Sequence, residues 1–222
     1  MDNNLGIAEY FPIWNKLTEE QQELLRENAY YHKFPAGSVV HNGSADCLGI
    51  LVISSGQLRS YMLSDEGREI TIFRMFEMDI CLFSASCMMK NVQFEIAIAA
   101  EKDTEAWVIP PGIYKRLMEE SVAVANYTNE IITGRFSEVM WLMEQVMWKS
   151  FDKRLAAFLL EECNIEESLM LTITHEKIAN HLGTAREVVT RMLRYFQVEG
   201  MVKLKRGGLE VLNRKKLQQL AE

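Results

Sequence analysis

Short apolar runs separated by turn-forming residues dominate residues 35–109. Before them, the capping-box pattern from Thr18 to Gln21 predicts a helix over about residues 19–30. Runs rich in β-forming residues then recur at roughly ten-residue spacing, with Gly, Ser and Asp between them. They cover residues 50–53, 57–63, 70–76, 94–100 and 106–109. This spacing predicts an antiparallel sandwich or barrel.

The apolar spacing becomes helical after residue 112 and predicts a long helix over residues 122–148. Positions four, three, four and three residues apart form a coiled-coil seam: Ile132, Phe136, Val139, Met143 and Val146. Further apolar residues surround this seam, so the helix needs cover on more than one side. We expect it to pack on its own β domain and on a second copy of the chain. The alternative is a central helix buried within one monomer.

Residues 171–198 carry the pattern of two short helices joined by a tight turn. Thr174 is a plausible N-cap, and Gly183 ends the first helix with a residue that tolerates a left-handed backbone. Ala179 provides a small side chain where two helices cross, and Val189 and Met192 fall on the buried face of the second helix. The arrangement predicts a helix-turn-helix.

The outward face of the second helix carries Arg186, Glu187, Thr190 and Arg191, which we predict to read DNA bases. Arginine can bind guanine through two hydrogen bonds, glutamate can accept one from cytosine, and threonine can reach a phosphate or a thymine methyl group. Two alternatives stay open. Thr184 and Glu187 also fit a capping box, and the arginines could be solvated helix residues.

A hairpin predicted over residues 201–212 has a basic tip and resembles the wing of a winged helix-turn-helix. Together with the two helices it supplies the side chains predicted to contact the DNA backbone: Thr174, His175, Thr184, Arg194, Lys205 and Arg206. His175 and His181 lie six residues apart, which does not suit a zinc pair on one helical face. Contact with solvent or phosphate is the expectation for both.

Charge is divided unevenly along the chain. The 222 residues carry a net charge of −7, yet residues 174–216 hold ten basic and four acidic side chains, which leaves −13 for the rest. A basic segment on an acidic body indicates that one part contacts phosphates. A merely solvated basic face is the alternative.

Length and composition suit two modest domains linked by a helix: 48% of the residues are apolar and 25% charged. We predict a β domain over 1–120, a long dimerisation helix over 121–148 and a DNA-binding domain over 149–222. The sequence holds neither a secretory pattern nor an apolar run of about 20 residues, so we expect a cytoplasmic protein without a membrane partner. Irregular spacing predicts that Cys47, Cys81, Cys87 and Cys163 are reduced thiols.

An enzymatic role has little support in the sequence. His32 and His41 are the only histidines before residue 170, and no His-x-His motif with a downstream glutamate follows them. A metal-dependent oxygenase on a β-roll would therefore lack its ligands. No cluster of nucleophile, base and orienting group is recognisable either, so we predict no catalytic residue and no metal site.

The order of β domain, long helix and winged helix-turn-helix resembles the Crp/Fnr family of bacterial transcription regulators. The resemblance extends from about Phe11 to Leu220, with Gly56, the turn at 65–70 and the segment 178–191 as its specific pieces. It implies an α+β fold: a double-stranded antiparallel β-roll of the cupin-like jelly-roll kind, a long dimerisation helix and a C-terminal winged helix-turn-helix. It also implies a homodimer on a palindromic promoter site with TGTGA-like half-sites, and RNA polymerase as a partner.

The residues of the effector region depart from the family pattern. Phe94 and Glu95 stand where cyclic-AMP binders carry an arginine and a serine, and a carboxylate repels a phosphate. Met78 replaces the glycine usual before Asp79, which leaves the shape of that turn open. Cyclic AMP is therefore not expected as effector. Because no cysteine precedes Cys47, an N-terminal iron–sulfur cluster is not expected either.

Cys81 and Cys87 remain as candidate effector or redox residues, together with Phe94 and Glu95. Two thiols could form a redox switch or bind a metal, although inert core packing is the default for cysteine. Nearby methionines leave a haem or apolar-ligand pocket as a further possibility. The second functional hypothesis is a thiol, metal or haem sensor of the same fold that acts mainly through a protein partner. The effector itself stays unknown at this stage.

Overall fold

The structure, a computed structural model, describes residues 6–42, 47–88 and 95–222. The chain forms two compact units, one of Met1–Met62 with Ile72–Val139 and the other of Leu63–Thr71 with Met140–Glu222. Among the described helices, none is both long enough and apolar enough to span a membrane. The three domain ranges drawn from the sequence stay a prediction.

Helix α1 (Glu19–Asn28) begins at the predicted capping box. The Thr18 hydroxyl accepts a hydrogen bond from the Gln21 backbone N–H at 3.3 Å, and the Gln21 side chain accepts one from the Thr18 backbone N–H at 3.2 Å. Both orphan donors at the helix start are thereby satisfied. The helix ends two residues before the predicted end because Tyr30 already begins a strand.

The described residues between positions 30 and 109 form two four-stranded sheets. The strands are β1 (Tyr30–Phe34), β2 (Val39–Asn42), β3 (Ile50–Ser55), β4 (Leu58–Leu63), β5 (Glu69–Met75), β6 (Ile80–Cys81), β7 (Ala97–Ala100) and β8 (Thr104–Ile109). Their orders are β1-β8-β3-β6 and β2-β7-β4-β5. All neighbours in the first sheet, and the pairs β2–β7 and β7–β4 in the second, are antiparallel. Strands β1, β2 and β6 are absent from the sequence prediction: β1 and β2 alternate less clearly, and β6 has only two residues.

The central strand β3 is covered on both faces. Leu51 and Ile53 pack into a cluster with residues of both sheets, while Ile50 and Val52 pack against the N-terminal segment and the helices. All four side chains are buried. A strand buried on both faces reads as a continuous apolar run, which explains the uninterrupted sequence at 50–53.

Two residues with positive φ angles, Gly56 and Met78, lie at turns of the β region. Gly56 has a φ of +93°, and a Cβ atom there would lie 2.4 Å from the Asp103 carbonyl oxygen, so only glycine fits. Met78 has a φ of +70°, in the left-handed region that costs most residues about 1 kcal/mol or more. Hydrogen bonds from Met78 N to Ile53 O at 2.9 Å and from Asp79 N to Phe76 O at 3.0 Å hold the turn. Methionine therefore keeps the backbone that glycine favours.

Two helices follow the sheets, α2 (Pro111–Glu120) and α3 (Val122–Trp148). The bounds of α3 match the predicted long helix. In its first turns Val124 and Thr128 are buried, and the Thr128 hydroxyl lies 2.8 Å from the Tyr114 hydroxyl. This end of α3 is therefore part of the core of the first unit.

The C-terminal region is a small α/β assembly. Its elements are α4 (Phe151–Ile165), β9 (Met170–Leu171), α5 (His175–Leu182), α6 (Arg186–Val198), β10 (Val202–Lys205), β11 (Gly208–Val211) and α7 (Arg214–Ala221). The three strands pair in the order β10-β11-β9. Leu155, Leu159, Ile178, Leu193 and Phe196 form its fully buried centre. The α+β class, the β-roll and the winged helix-turn-helix are confirmed.

Candidate nucleic-acid interface

Helix α5 and the turn after it have the predicted local chemistry. The Thr174 hydroxyl accepts a hydrogen bond from the Lys177 backbone N–H at 3.1 Å and caps the helix. Gly183 adopts a φ of +66°, and its backbone N–H donates to the Ala179 carbonyl. A left-handed residue in this position satisfies a carbonyl that the helix end would leave unpaired.

The capping box proposed for the second helix is not present. Helix α6 begins at Arg186 with Ala185 as its N-cap, and no side chain makes the cap hydrogen bond. The alternative role of Glu187 in a box with Thr184 was therefore wrong, because the chain enters the helix one residue later than the pattern suggests. Glu187 lies in the first turn with an exposed side chain.

Helix α6 has two chemically opposite faces. Val189, Leu193 and Phe196 are fully buried. The outward face carries exposed charged side chains and one half-buried threonine: Arg186, Glu187, Thr190, Arg191 and Arg194. Positions 187, 190, 191 and 194 recur at the helical spacing of three and four residues, so they share one side. Three of the four residues predicted to read bases, Glu187, Thr190 and Arg191, therefore share this side, and Arg186 is exposed in the first turn.

A hydrogen bond joins the two helices of the motif. His175 Nδ1 lies 2.9 Å from the Thr190 hydroxyl, which in turn donates to the Arg186 carbonyl at 2.9 Å. Burial lowers the pKa of His175 below its ordinary value, and the positive charges of Arg186 and Arg194 lower it further. The imidazole is therefore mainly neutral near pH 7.

The wing lies against the start of α5. Strands β10 and β11 pair in register, and Arg206 at the tip is exposed. A pocket of about 440 Å³ has Thr174, His175, Arg186, Lys205 and Gly208 among its lining residues. Lys205 is also exposed, but its Nζ lies 2.9 Å from a Glu210 carboxylate oxygen, and this hydrogen bond holds the pKa of Glu210 below its ordinary value. The lining of the pocket thus joins the first residues of α5, including Glu176, to two positively charged side chains, Arg186 and Lys205.

The turn of the motif is covered by residues that the sequence analysis did not place beside it. Thr71 Oγ1 lies 2.8 Å from His181 Nδ1, and Ile70 forms a β-bridge with Leu182. Arg154 donates to the Leu182 carbonyl at 3.2 Å. His181 is only 4% exposed, so the expectation of solvent or phosphate contact was wrong for this residue. Contacts between residues 110 positions apart leave no local signal.

The predicted seam of α3 is largely exposed within one chain. Ile132, Phe136, Met143 and Val146 are between 45% and 64% exposed, and Val139 is half-buried. Exposed apolar side chains in such a row are uncommon on the surface of a monomer. The alternative of a helix buried within one monomer is therefore wrong for this part of α3.

The candidate effector residues have different environments. Cys81 is a buried free thiol, and burial raises its pKa. Glu95 is exposed, whereas Phe94 and the side chain of Cys87 lie outside the described residues. Cys47 is disulfide-bonded, so the expectation of four reduced thiols was wrong. Cysteine count and spacing do not tell which sulfur atoms the fold brings together.

Arg135 is a polar residue of this region that the sequence analysis missed. Its guanidinium pairs with Asp79 at 3.6 Å and with Glu138 at 2.9 Å, and it stacks over the ring of Phe73 at 4.6 Å. The side chain is only 13% exposed. The sequence did contain one sign of its importance: Arg135 is the single cationic residue between positions 122 and 148. Among the described residues, no group of three His, Cys, Asp or Glu is placed to hold a metal ion.

Comparison with known proteins places these features in a wider context. Residues 153–220 match the model of the Crp-like helix-turn-helix domain. A structure from Eubacterium rectale, whose description assigns it to the Crp/Fnr family of transcriptional regulators, is 59% identical. It superposes with a TM-score of 0.93 and covers 96% of this chain and 99% of its own.

More distant relatives are similar over most of their length. The cyclic AMP receptor protein of Thermus thermophilus is 22% identical over 95% of this chain and 96% of its own. The fumarate and nitrate reduction regulatory protein of Escherichia coli is 25% identical over 83% of this chain and 76% of its own. Both similarities include the two structural units described above.

Proposed function

This chain belongs to the Crp/Fnr family of transcription regulators with a helix-turn-helix DNA-binding domain, and on that premise we propose that it binds palindromic promoter DNA as a homodimer. The observation that carries the proposal is the outward face of α6. Glu187, Thr190 and Arg191 share one side of the helix away from its fully buried apolar face, and Arg186 is exposed in the first turn. Helix α6 is thus held rigidly while its polar side chains remain available to the edges of bases in a major groove.

The DNA backbone is contacted by the surroundings of α6. Thr174, His175 and Lys205 line the pocket between α5 and the wing, where a phosphate would meet backbone donors and positive charge. The remaining backbone contacts are Thr184, Arg194 and Arg206. These contacts set the position of the protein on the duplex, while the four base-reading residues select the sequence.

The second copy of the chain packs on α3. Its seam of Ile132, Phe136, Val139, Met143 and Val146 has the spacing of a coiled coil and is exposed apart from the half-buried Val139. A symmetric pair buries the same residues of both chains and presents two copies of α6 to successive major grooves. The operator is accordingly an inverted repeat whose halves lie about one helical turn apart. RNA polymerase is the partner through which the bound dimer changes transcription in the cytoplasm.

Control by a signal at the β-roll completes the proposal, and that signal is not cyclic AMP. The relative from Thermus thermophilus is named for cyclic AMP. In this chain Glu95 brings a carboxylate where a cyclic phosphate would need a donor, and Arg135 is paired with Asp79 and Glu138. The disulfide at Cys47 favours a second candidate, a thiol-based sensor of the same fold that acts mainly through a protein partner.

Selection from a library of randomised duplexes, with and without reductant, tests the proposal. An enriched inverted repeat bound by a dimer is the expected result. Affinity for the enriched duplex should fall steeply as salt rises, because phosphate contacts release counterions. A protein partner with a mostly apolar interface would respond little to salt. A library without any enriched sequence in either redox condition would overturn the assignment to specific promoter DNA.

A further inference from the structure

The hydrogen bond between α5 and α6 has a defined direction. The Thr190 side chain has one hydroxyl proton, and it donates that proton to the Arg186 carbonyl at 2.9 Å. It can therefore only accept from His175, whose Nδ1 lies 2.9 Å away. The neutral imidazole must then carry its proton on Nδ1, which leaves Nε2 as a bare acceptor.

Positive charge surrounds this imidazole. Arg186 and Arg194 lie on α6, Lys205 lies on β10 across the shared pocket, and Glu176 on α5 is the acidic neighbour. His175 is half-buried among them. In the free protein, a second proton on the ring is disfavoured by burial and by the two arginines, so the pKa is lowered.

We infer that His175 positions Thr190 for base reading and takes up a proton at Nε2 when a DNA phosphate occupies the pocket. The inference rests on the proposed DNA binding, because it needs a phosphate in that place. A phosphate carries the opposite charge to the arginines and favours the protonated ring. The new Nε2–H then donates to a phosphate oxygen, while Nδ1–H still donates to Thr190. Thr190 therefore keeps its orientation whether His175 is neutral or protonated. Only the contact between His175 and the DNA backbone depends on the added proton.

The pH dependence has a definite sign. Affinity is greatest below the pKa of His175 in the free protein, where the ring is already protonated. It falls as pH rises toward the higher pKa in the complex, and it is constant above that value. Each unit of difference between the two pKa values changes affinity tenfold. Because a phosphate contact carries no sequence information, random duplex should show the same dependence.

Fluorescence anisotropy of the full chain between about pH 5.5 and 8.5, at constant ionic strength, measures this linkage. The probes are a duplex enriched by selection and a random duplex of equal length. We expect wild-type affinity to weaken as pH rises across this range on both duplexes, roughly tenfold for each unit by which the duplex raises the pKa of His175. His175→Gln should bind at every pH about as weakly as the wild type at the highest pH, and His175→Arg should bind at every pH at least as tightly as the wild type at the lowest pH. Lys215→Ala, which removes an exposed charge on α7, serves as the control with the wild-type profile.

Nitrogen NMR of the imidazole gives a readout that a purely structural role would not change. In the free protein His175 should be the Nδ1–H tautomer, and added duplex should raise its pKa. Thr190→Val removes the acceptor and should release the ring to a mixture of tautomers. An Nε2–H tautomer in the free wild type, or a His175→Gln variant with an unchanged pH profile, would overturn the inference and leave the proposed function intact. If the protein bound all duplexes equally, but with a pH profile that depends on His175, the proposed sequence-specific function would be overturned and the inference about His175 would stand.

Discussion

Helices α3 and α6 show how one sequence pattern leads to two different outcomes. Both carry apolar residues at intervals of three and four. In α6 these side chains, Val189, Leu193 and Phe196, are fully buried within the same chain. In α3 the corresponding row includes Phe136 and Met143, which are 64% and 48% exposed. The apolar spacing predicts that one face of the helix is buried against another surface. The rest of the chain determines whether that surface belongs to the same chain.

The outward faces of the two helices differ as well. That of α6 is charged and includes Arg186 and Arg191, whereas that of α3 is apolar along its seam. A charged surface next to a basic pocket suits a polyanion, whose binding weakens with salt. An apolar seam suits a second copy of the same helix, whose association responds little to salt. The comparison therefore separates three kinds of face: one buried in the core, one for which we propose a second copy of the chain, and one for which we propose DNA.

The buried face of α6 should give the largest effect. Phe196→Ala removes a fully buried ring from the core of the C-terminal unit and should lower the free energy of unfolding by about 3–5 kcal/mol. Denaturant unfolding measures the change. Tyr195→Ala, one residue away and 51% exposed, is the matched control and should cost less than about 1 kcal/mol. Equal losses for the two variants would mean that this face of α6 is not the core.

A charged substitution in the seam of α3 should prevent dimerisation without unfolding the chain. Met143→Asp would bury a carboxylate at the dimer seam, at a cost of about 3 kcal/mol, and should yield folded monomers whose unfolding midpoint is lowered only by the loss of dimerisation. Light scattering determines the mass. Ser137→Asp adds the same charge at an exposed position of α3 outside the seam and should leave the dimer intact. Met143→Asp protein that keeps the mass of a dimer would exclude this helix face as the interface.

What the sequence could predict about these two helices follows from the range of the interactions. Capping at Thr174, the left-handed Gly183 and the spacing along α6 involve neighbours within about four residues, and all of them are found in the structure. The cover of the turn by Thr71 comes from a residue 110 positions away from His181 and left no local pattern. Helix starts also shift by a residue when the chain enters differently, as at Ala185.

The charged face of α6 should give an intermediate effect with sequence dependence. Arg186→Ala should weaken specific binding by about 1–3 kcal/mol and relax the preference at one base pair. Binding to enriched and random duplexes, measured by anisotropy, separates base reading from simple charge. Lys215→Ala removes one positive charge at an exposed position of α7 and should change neither duplex by much. Equal losses on the two duplexes for Arg186→Ala would contradict a base-reading role.

The β-roll shows the limit of sequence prediction for a site. Most of its strands were predicted, because alternation and turn residues are local signals. The contacts of Arg135 with Asp79 and Phe73 join a helix to two places in the β region, and no spacing rule connects them. The residues that we propose to read bases lie along one helix, whereas a ligand site in the β-roll would combine residues from distant parts of the chain. Candidates for base reading could therefore be named individually from the sequence, whereas no effector could be named.

The wing should give the smallest effect and the sharpest contrast with α3. Lys205 is exposed and already paired with Glu210 at 2.9 Å, so its charge is partly compensated before DNA binds. Lys205→Ala should therefore weaken enriched and random duplexes alike, by less than about 1 kcal/mol, and reduce the slope of log affinity against log salt by about 1. The dimer mass of the same variant should not change with salt, because the α3 seam is apolar. A loss confined to the enriched duplex would move Lys205 from the backbone contacts to the base-reading residues and extend the reading surface beyond α6.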